Sequence, residues 1–382
     1  MADVDRILFS EPFRTGRESD YLGQVLASTT WHGDGPFTER SSRWLEDFTG
    51  ARHSLLTTSG THALELTSIL LDLGPGDEVV CPAFTFTSTA TAIAIRGATP
   101  VFVDVLPETM NIDPAAVEAA VTDRTRAIYV VHYAGVAVDL PAVQAIADRH
   151  GLAVVEDNAH GFDAYLDDRH LGTFGTFGVQ SWHDTKNVTA GEGGSLLVND
   201  DALAERAEIV REKGTNRSLF LRGAVDKYTW VDQGSSYLPS ELNAALLLAQ
   251  LEASDRTQGL RHGVWDTYHR ELGDWAERQG VERMVVPEGR RHPAHMYYLV
   301  LPSHDDQVGL ITHLKERDVV ATFHYQPLDT AAAGVRLGRA PEPCPVTADR
   351  SQRLVRLPLH AGLSDEDLQR VVEGVASYEV RA

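Results

Sequence analysis

Residues 181–200 read SWHDTKNVTAGEGGSLLVND, and they place one lysine, Lys186, between a short run ending in Ser-Trp-His and a glycine-rich turn that returns to a strand-like Ser-Leu-Leu-Val-Asn. The stretch reads as the buried middle of a sheet. An ammonium there is costly to desolvate unless paired, yet burial lowers its pKa and makes it a good nucleophile. The plain alternative is a lysine that reaches solvent or pairs with Asp184 or Glu192; the flanking TAGEGG speaks against a solvated helix face.

Upstream of this segment, helix and strand signals alternate. In SGTHALELTSILLDLGPGDEV, Ala63, Leu66, Leu70 and Leu73 recur at three- and four-residue spacing before a glycine turn, which predicts a helix with a defined stop. The β-branched runs EVVCPAF, TPVFVDV, RAIYVVHY, LAVVED, FGVQSWH and GSLLVN are separated by helix-like segments such as NIDPAAVEAAV and DLPAVQAIADRHG. Asp113 is an N-cap followed by Pro114 at the first helical position, and Gly151 closes a helix that begins near Pro141. Strand–helix–strand repetition predicts an α/β fold with a mainly parallel sheet and helices on both faces.

The texture changes after about residue 250. A long helical stretch, YLPSELNAALLLAQLEASDR, leads to the alternating HMYYLVLP, a helix-like QVGLITHLKERD, VVATFHY, and a final helix capped by Ser364 with Asp367 completing the capping box. A large domain over residues 1–250 and a smaller C-terminal α/β domain over 251–382 are therefore expected. The 382 residues, 43% of them hydrophobic, suffice for this, because single cores stop growing near roughly 250–300 residues.

With 55 acidic against 34 basic residues, the net charge of -21 opposes a nucleic-acid backbone or an anionic membrane surface as main partner. Two distant cysteines, Cys81 and Cys344, give no disulfide framework and fit a reducing compartment. The N-terminal MADVDRILFSEPF has no signal-peptide pattern, and no uninterrupted apolar run reaches about 18 residues, so a soluble, cytoplasmic protein is expected. No metal is expected, since His292 and His295 in RHPAHMYY lack partner carboxylates at ligand spacing.

Open parallel sheets bind ligands at the carboxyl ends of their strands, and three groups of polar residues fall there. Ser59, Gly60 and Thr61 in TTSGTHAL precede a helix, either as an ordinary cap or as a cup of backbone N–H groups for a phosphate. Glu156, Asp157 and His160 in LAVVEDNAH emerge where a strand ends, either capping the next turn or holding a positive ring nitrogen. Lys186 is the third. Anion anchor, ring-nitrogen partner and aldehyde trap are together what pyridoxal 5'-phosphate needs, and Phe86 in CPAFTFTSTA could cover its ring or simply pack in the core.

At these residues the chain resembles the DegT-type sugar-nucleotide aminotransferases, a branch of the fold-type I pyridoxal-phosphate enzymes, over nearly its whole length. GDGPFTER, GDEVVCPAFTFTSTA, FVDVLPETMNID, VHYAGVA, VVEDNAHG, WHDTKNVTAGEGG, REKGTNRS, VDKYTW and FHYQPL are most similar to the members that are dTDP-4-amino-4,6-dideoxygalactose transaminases. The resemblance implies that Lys186 forms the Schiff base with pyridoxal 5'-phosphate, that Asp157 pairs with the pyridine nitrogen, that His160 lies near the ring hydroxyl and that Phe86 stacks on the ring. Ser59, Gly60, Thr61 and Ser181 would hold the phosphate, and His183 would help position the lysine or substrate.

It also implies transfer of an amino group from L-glutamate, through pyridoxamine 5'-phosphate, to C4 of a nucleotide-linked keto sugar, dTDP-4-keto-6-deoxyglucose, in a homodimer with shared active sites. The gluco epimer, a 4-keto pentose acceptor and a non-catalytic sensing protein are the alternatives. Lys213, Arg217, Lys227 and His324 are candidates for substrate contacts, the three basic residues with solvated surface positions as the plain alternative. The chain departs from the family at position 160, where Gln is commoner, and at Ser236 and Leu238, where the wider family has Asn and Arg. That Asn reaches the partner subunit's cofactor phosphate, which leaves the equivalent role of Ser236 open. Related dehydratases replace the Schiff-base lysine by histidine, so Lys186 argues for transfer rather than dehydration.

Overall fold

A computed structural model describes residues 6–381. Its centre is a seven-stranded sheet in the order His53–Thr57, Gly194–Val198, Phe177–Ser181, Ala153–Asp157, Thr125–Val131, Glu78–Pro82, Thr99–Val103. Only Gly194–Val198 runs against the others. The strands are buried on both faces, so their sequences are near-continuous apolar runs rather than alternating ones. One face packs Leu66, Val79, Tyr129, Val155 and Leu196, the other Val80, Ile128, Val130, Val143 and Val154.

The helices begin and end where local chemistry dictates. Ser59, Asp113 and Asp139 each accept a hydrogen bond from a backbone N–H of the first turn, capping Gly60–Leu70, Pro114–Ala120 and Leu140–His150. Gly151, at φ 65°, ends the last of these in the left-handed region that costs glycine nothing. The stretch from Tyr237 to Arg256 is two helices, Glu241–Leu251 and Ser254–Glu271, rather than one. The first is tied down by the buried carboxylate of Glu241, which accepts from the N–H groups of Phe37 and Thr38 and so also caps the helix Pro36–Thr49.

A second, antiparallel sheet joins Glu282–Arg283, Tyr297–Val300 and Leu354–Leu357 and shares a core with Trp265, Tyr268, Leu310 and Val371. The helices His304–Lys315 and Asp365–Ala376 flank it, the latter capped by Ser364 on the Asp367 N–H. VVATFHY forms no strand: it contributes isolated bridges, Ile7 with Val319 and Thr322 with Arg356. Lys186 likewise lies in no strand. It follows Phe177–Ser181 in the turn leading to Gly194–Val198, its N–H bonded to the His183 carbonyl. The apolar runs on either side made the whole segment read as sheet.

Candidate active site

The carboxyl ends of the parallel strands face the C-terminal sheet across a cavity of about 540 Å³. Ser59, Gly60, Thr61, Phe86, Asp157, His160, Ser181, His183, Lys186 and His324 all line it. A larger depression of about 670 Å³, near Arg169 and Asp200, has no lysine; there the Arg169 guanidinium lies 4.3 Å above the Phe174 ring.

Strand alternation decides which carboxylate faces the cavity, because neighbouring side chains point to opposite faces. Asp157 faces it, 6% exposed, its Oδ2 accepting from Thr89 Oγ1 at 2.8 Å and its Oδ1 from the Ala159 N–H at 3.2 Å. Glu156 points away and is consumed by structure: His132 at 2.9 Å and the N–H groups of Gly172, Phe174 and Gly175 surround it.

Burial holds the half-buried Lys186 at about 8, below its ordinary value; the charge of Asp157 raises it and that of Arg356 lowers it. Burial pushes Asp157 up, opposed by Thr89, the Ala159 N–H and Lys186. Lys186 therefore exchanges its proton near neutrality, as a general base must.

Ser59 caps Gly60–Leu70 through the His62 N–H, so the positive end of this eleven-residue helix opens on the cavity. The turn is packed tightly: a Cβ on Gly60 would lie 3.0 Å from Ser181 Cβ, and one on Gly194 only 2.3 Å from the Ser59 carbonyl carbon. Thr61 Oγ1 bonds Ser88 Oγ at 2.7 Å.

His160 is stacked on His295, ring centroids 4.4 Å apart, with Tyr325 Oη 3.4 Å from its Nε2 and, among the described residues, no partner for its buried Nδ1. His295 bonds Asn187, and His324 bonds Tyr133 at 2.9 Å. Burial first, then the charges of Lys186 and Arg356, hold His160 well below its ordinary value. His183 sits at the rim, 2.9 Å from Asp184 and 3.7 Å from Glu192.

The structure does not bring Lys213, Arg217, Lys227 and Ser236 to this cavity. Lys213, Lys227 and Ser236 are exposed, and Arg217 pairs with Glu212 at 3.0 Å. Sequence reasoning missed Ser88, Thr89, His295 as a cavity residue, Tyr325 and Arg356. Tyr325 adjoins His324 in FHYQ, and Arg356 is a charge inside the apolar run LVRLPL, signals that could have found both.

Lysine, carboxylate, helix N-terminus and an unpartnered imidazole nitrogen in one cavity fit pyridoxal 5'-phosphate, and the comparisons agree. Residues 14–376 match the DegT/DnrJ/EryC1/StrS aminotransferase family, and the chain belongs to it. It is a pyridoxal-phosphate-dependent aminotransferase with the fold-type I architecture.

The chain is similar to the aminotransferase TlmJ from Streptoalloteichus hindustanus, with a TM-score of 0.89 and 29% identity over 97% of this chain and 98% of that one. It is similar to the putative sugar aminotransferase Spr1654 from Streptococcus pneumoniae, whose PMP form gives a TM-score of 0.90 at 26% identity over 97% of each chain. A pleiotropic regulatory protein from Geobacillus stearothermophilus is 35% identical over 354 residues, 90% of each chain. Among the described residues no helix is long and apolar enough to cross a membrane.

Proposed function

We propose that this protein is a cytoplasmic, homodimeric sugar-nucleotide 4-aminotransferase that converts dTDP-4-keto-6-deoxyglucose and L-glutamate into dTDP-4-amino-4,6-dideoxygalactose and 2-oxoglutarate. The observation that carries this reading is Lys186 and Asp157 in one cavity at the carboxyl edge of the sheet. The pleiotropic regulatory relative favours a second reading, a sensor without turnover. Retention of both residues supports catalysis.

When bound, the cofactor supplies an aldehyde that accepts the amino group and an electron-poor ring that spreads the charge left by a departing proton. Lys186 would hold the aldehyde, and its Nζ, when free, would take the proton from the donor's Cα and later deliver one to sugar C4. Asp157 keeps a proton on the pyridine nitrogen. Ser59, Gly60, Thr61 and Ser181 hold the phosphate with backbone N–H groups and hydroxyls at the helix N-terminus. Phe86 would cover the ring, His160 would lie near its hydroxyl, and His183 at the rim would help position the lysine or substrate.

The exposed Phe220, Leu221, Tyr228, Trp230 and Val231 support the dimer, since such a patch on one chain invites a second copy. Lys213, Arg217, Lys227 and Ser236, on or beside that segment, would serve the neighbouring cavity. Proton NMR of the product tests the reading: a small H3–H4 coupling is expected for the axial amine. A large coupling would identify the gluco epimer, and no product would reject this acceptor.

A further inference from the structure

The loop 293–295 is gripped from two sides. The helix Ser254–Glu271 supplies Gln258, whose Nε2 donates to the Pro293 carbonyl at 3.1 Å, and Arg261, which donates to the carbonyls of Ala294 and His295 at 3.1 and 2.7 Å. Asn187, the neighbour of Lys186, donates through Nδ2 to the same Pro293 carbonyl at 2.7 Å and to Gln258 Oε1 at 2.9 Å. All three side chains are buried, and Ala294 between them stands at φ 48°, a left-handed conformation that a residue with a side chain keeps only where its surroundings impose it.

The Pro293 carbonyl decides more than the loop. A carbonyl only accepts, so the atoms facing it are the amide nitrogens of both Asn187 and Gln258. Asn187 Oδ1 is then the atom 2.9 Å from His295 Nδ1, and because an amide oxygen also only accepts, the proton of a neutral His295 sits on Nδ1. Burial first, then the charges of His160 and Lys186, oppose a charge on this ring. The ring so fixed lies along His160, the two planes 20° from parallel. The other rings near His160 stand farther off, Tyr133 at 6.0 Å and His324 at 6.2 Å. Hydrogen bonds hold His160 weakly by comparison, since among the described residues its Nδ1 has no partner and Tyr325 Oη lies 3.4 Å from its Nε2.

We propose that Asn187 and His295 are positioning residues for His160: the amide network fixes His295, and the stack sets the plane in which His160 meets the cavity. The inference rests on the reading in which His160 lies near the ring hydroxyl of the cofactor. An imidazole is a rigid disc whose hydrogen-bonding edge points only where its plane points, so a contact across its face is what aims it. Asn187 follows Lys186 directly in the chain, which ties the amine and the imidazole to one frame.

The test begins with binding of pyridoxal 5'-phosphate to apoprotein, titrated by fluorescence in the wild type, His295→Ala, His295→Phe, His160→Ala and the His160→Ala His295→Ala double variant. His295→Ala removes the stack and should weaken binding roughly 10-fold, a coupling usual for residues in contact. His295→Phe keeps a flat ring there and should recover most of that loss. The double variant should bind no more weakly than His160→Ala alone, because His295 acts through His160. Nitrogen NMR of apoprotein with isotope-labelled histidine needs no cofactor: the signal that His295→Phe removes should be that of an Nδ1–H tautomer, and Asn187→Leu should abolish that signature. Unchanged binding in His295→Ala, equal losses in the Ala and Phe variants, additive losses in the double variant, or an Nε2–H tautomer at His295 would each overturn the proposal. Wild-type apoprotein that takes up no cofactor would instead bring down the reading of the cavity, and this inference with it.

Discussion

Within the cavity Asp157, His160 and His324 are each less than a tenth exposed, whereas on the segment from Arg217 to Val231 Trp230 is 77% exposed and Leu221 64%. Asp157 ends a central strand and Ser59 caps a helix, positions that the packed sheet fixes within one chain, and Lys186 sits in the turn after a third element, Phe177–Ser181. The outer segment has one five-residue helix, Arg217–Leu221, and none of its residues there is buried. The difference teaches that one chain brings Ser59, Asp157 and Lys186 together by its own packing, whereas its basic outer residues lie away from that cavity on an exposed segment.

The comparison breaks most sharply at the lysine. Lys186→Ala should reduce turnover by at least about 10³-fold, since nucleophile and general base are lost together, with far-UV circular dichroism unchanged. Residual turnover near the wild-type rate would move the chemistry out of this cavity.

Gly194→Ala tests the packing behind the anion cup. Its Cβ would lie 2.3 Å from the Ser59 carbonyl carbon and 2.4 Å from the Gly60 nitrogen, so the turn must shift. A cost of about 1–3 kcal/mol, typical of overpacking, should weaken cofactor affinity by roughly 10- to 100-fold if it falls on the cup, as fluorescence titration would reveal.

The cavity should also reveal itself through pH. Capture of pyridoxal 5'-phosphate needs the neutral amine, so its rate in apoprotein should rise with pH and level off above about 8, where Lys186 has lost its proton, rather than climbing toward 10.5. Stopped-flow absorbance over that range distinguishes the two curves.

Buried imidazoles give a broader acid effect. Burial holds His160, His295 and His324 well below 6.5, His170 at about 4 and His292 at about 3. Below about 6.5 the unfolded chain therefore binds more protons than the folded one, and stability falls as pH drops toward 4. Thermal melts should show Tm decreasing through this window, with a shallower slope in His292→Asn.

The smallest effect belongs to the outer segment. Tyr228→Ser with Trp230→Ser should leave cofactor capture unchanged while weakening the proposed dimer and raising the KM for sugar nucleotide several-fold. Sedimentation velocity beside steady-state kinetics checks both halves of that statement.

Legibility in the sequence follows the same division. Six of the seven central strands are continuous apolar runs, and the caps at Ser59, Asp113 and Ser364 are local signals, so both are readable without the fold. His53–Thr57 is a short run, HSLLT, whose partner Gly194–Val198 lies far along the chain, and it goes unread. The choice between Glu156 and Asp157 depends on which face of one strand meets the cavity. Arg356 and Tyr325 reach the site only because the C-terminal sheet folds back over the strand ends, a long-range packing that local pattern does not encode.

The central claim is that Lys186 and Asp157 run an amino-transfer cycle in this cavity. The most direct test is the absorption spectrum of purified protein before and after L-glutamate, and then after dTDP-4-keto-6-deoxyglucose, alongside Lys186→Ala. The account predicts a visible band that glutamate abolishes and the keto sugar restores, with neither change in the variant. A band indifferent to both, or none even with added cofactor, would contradict it.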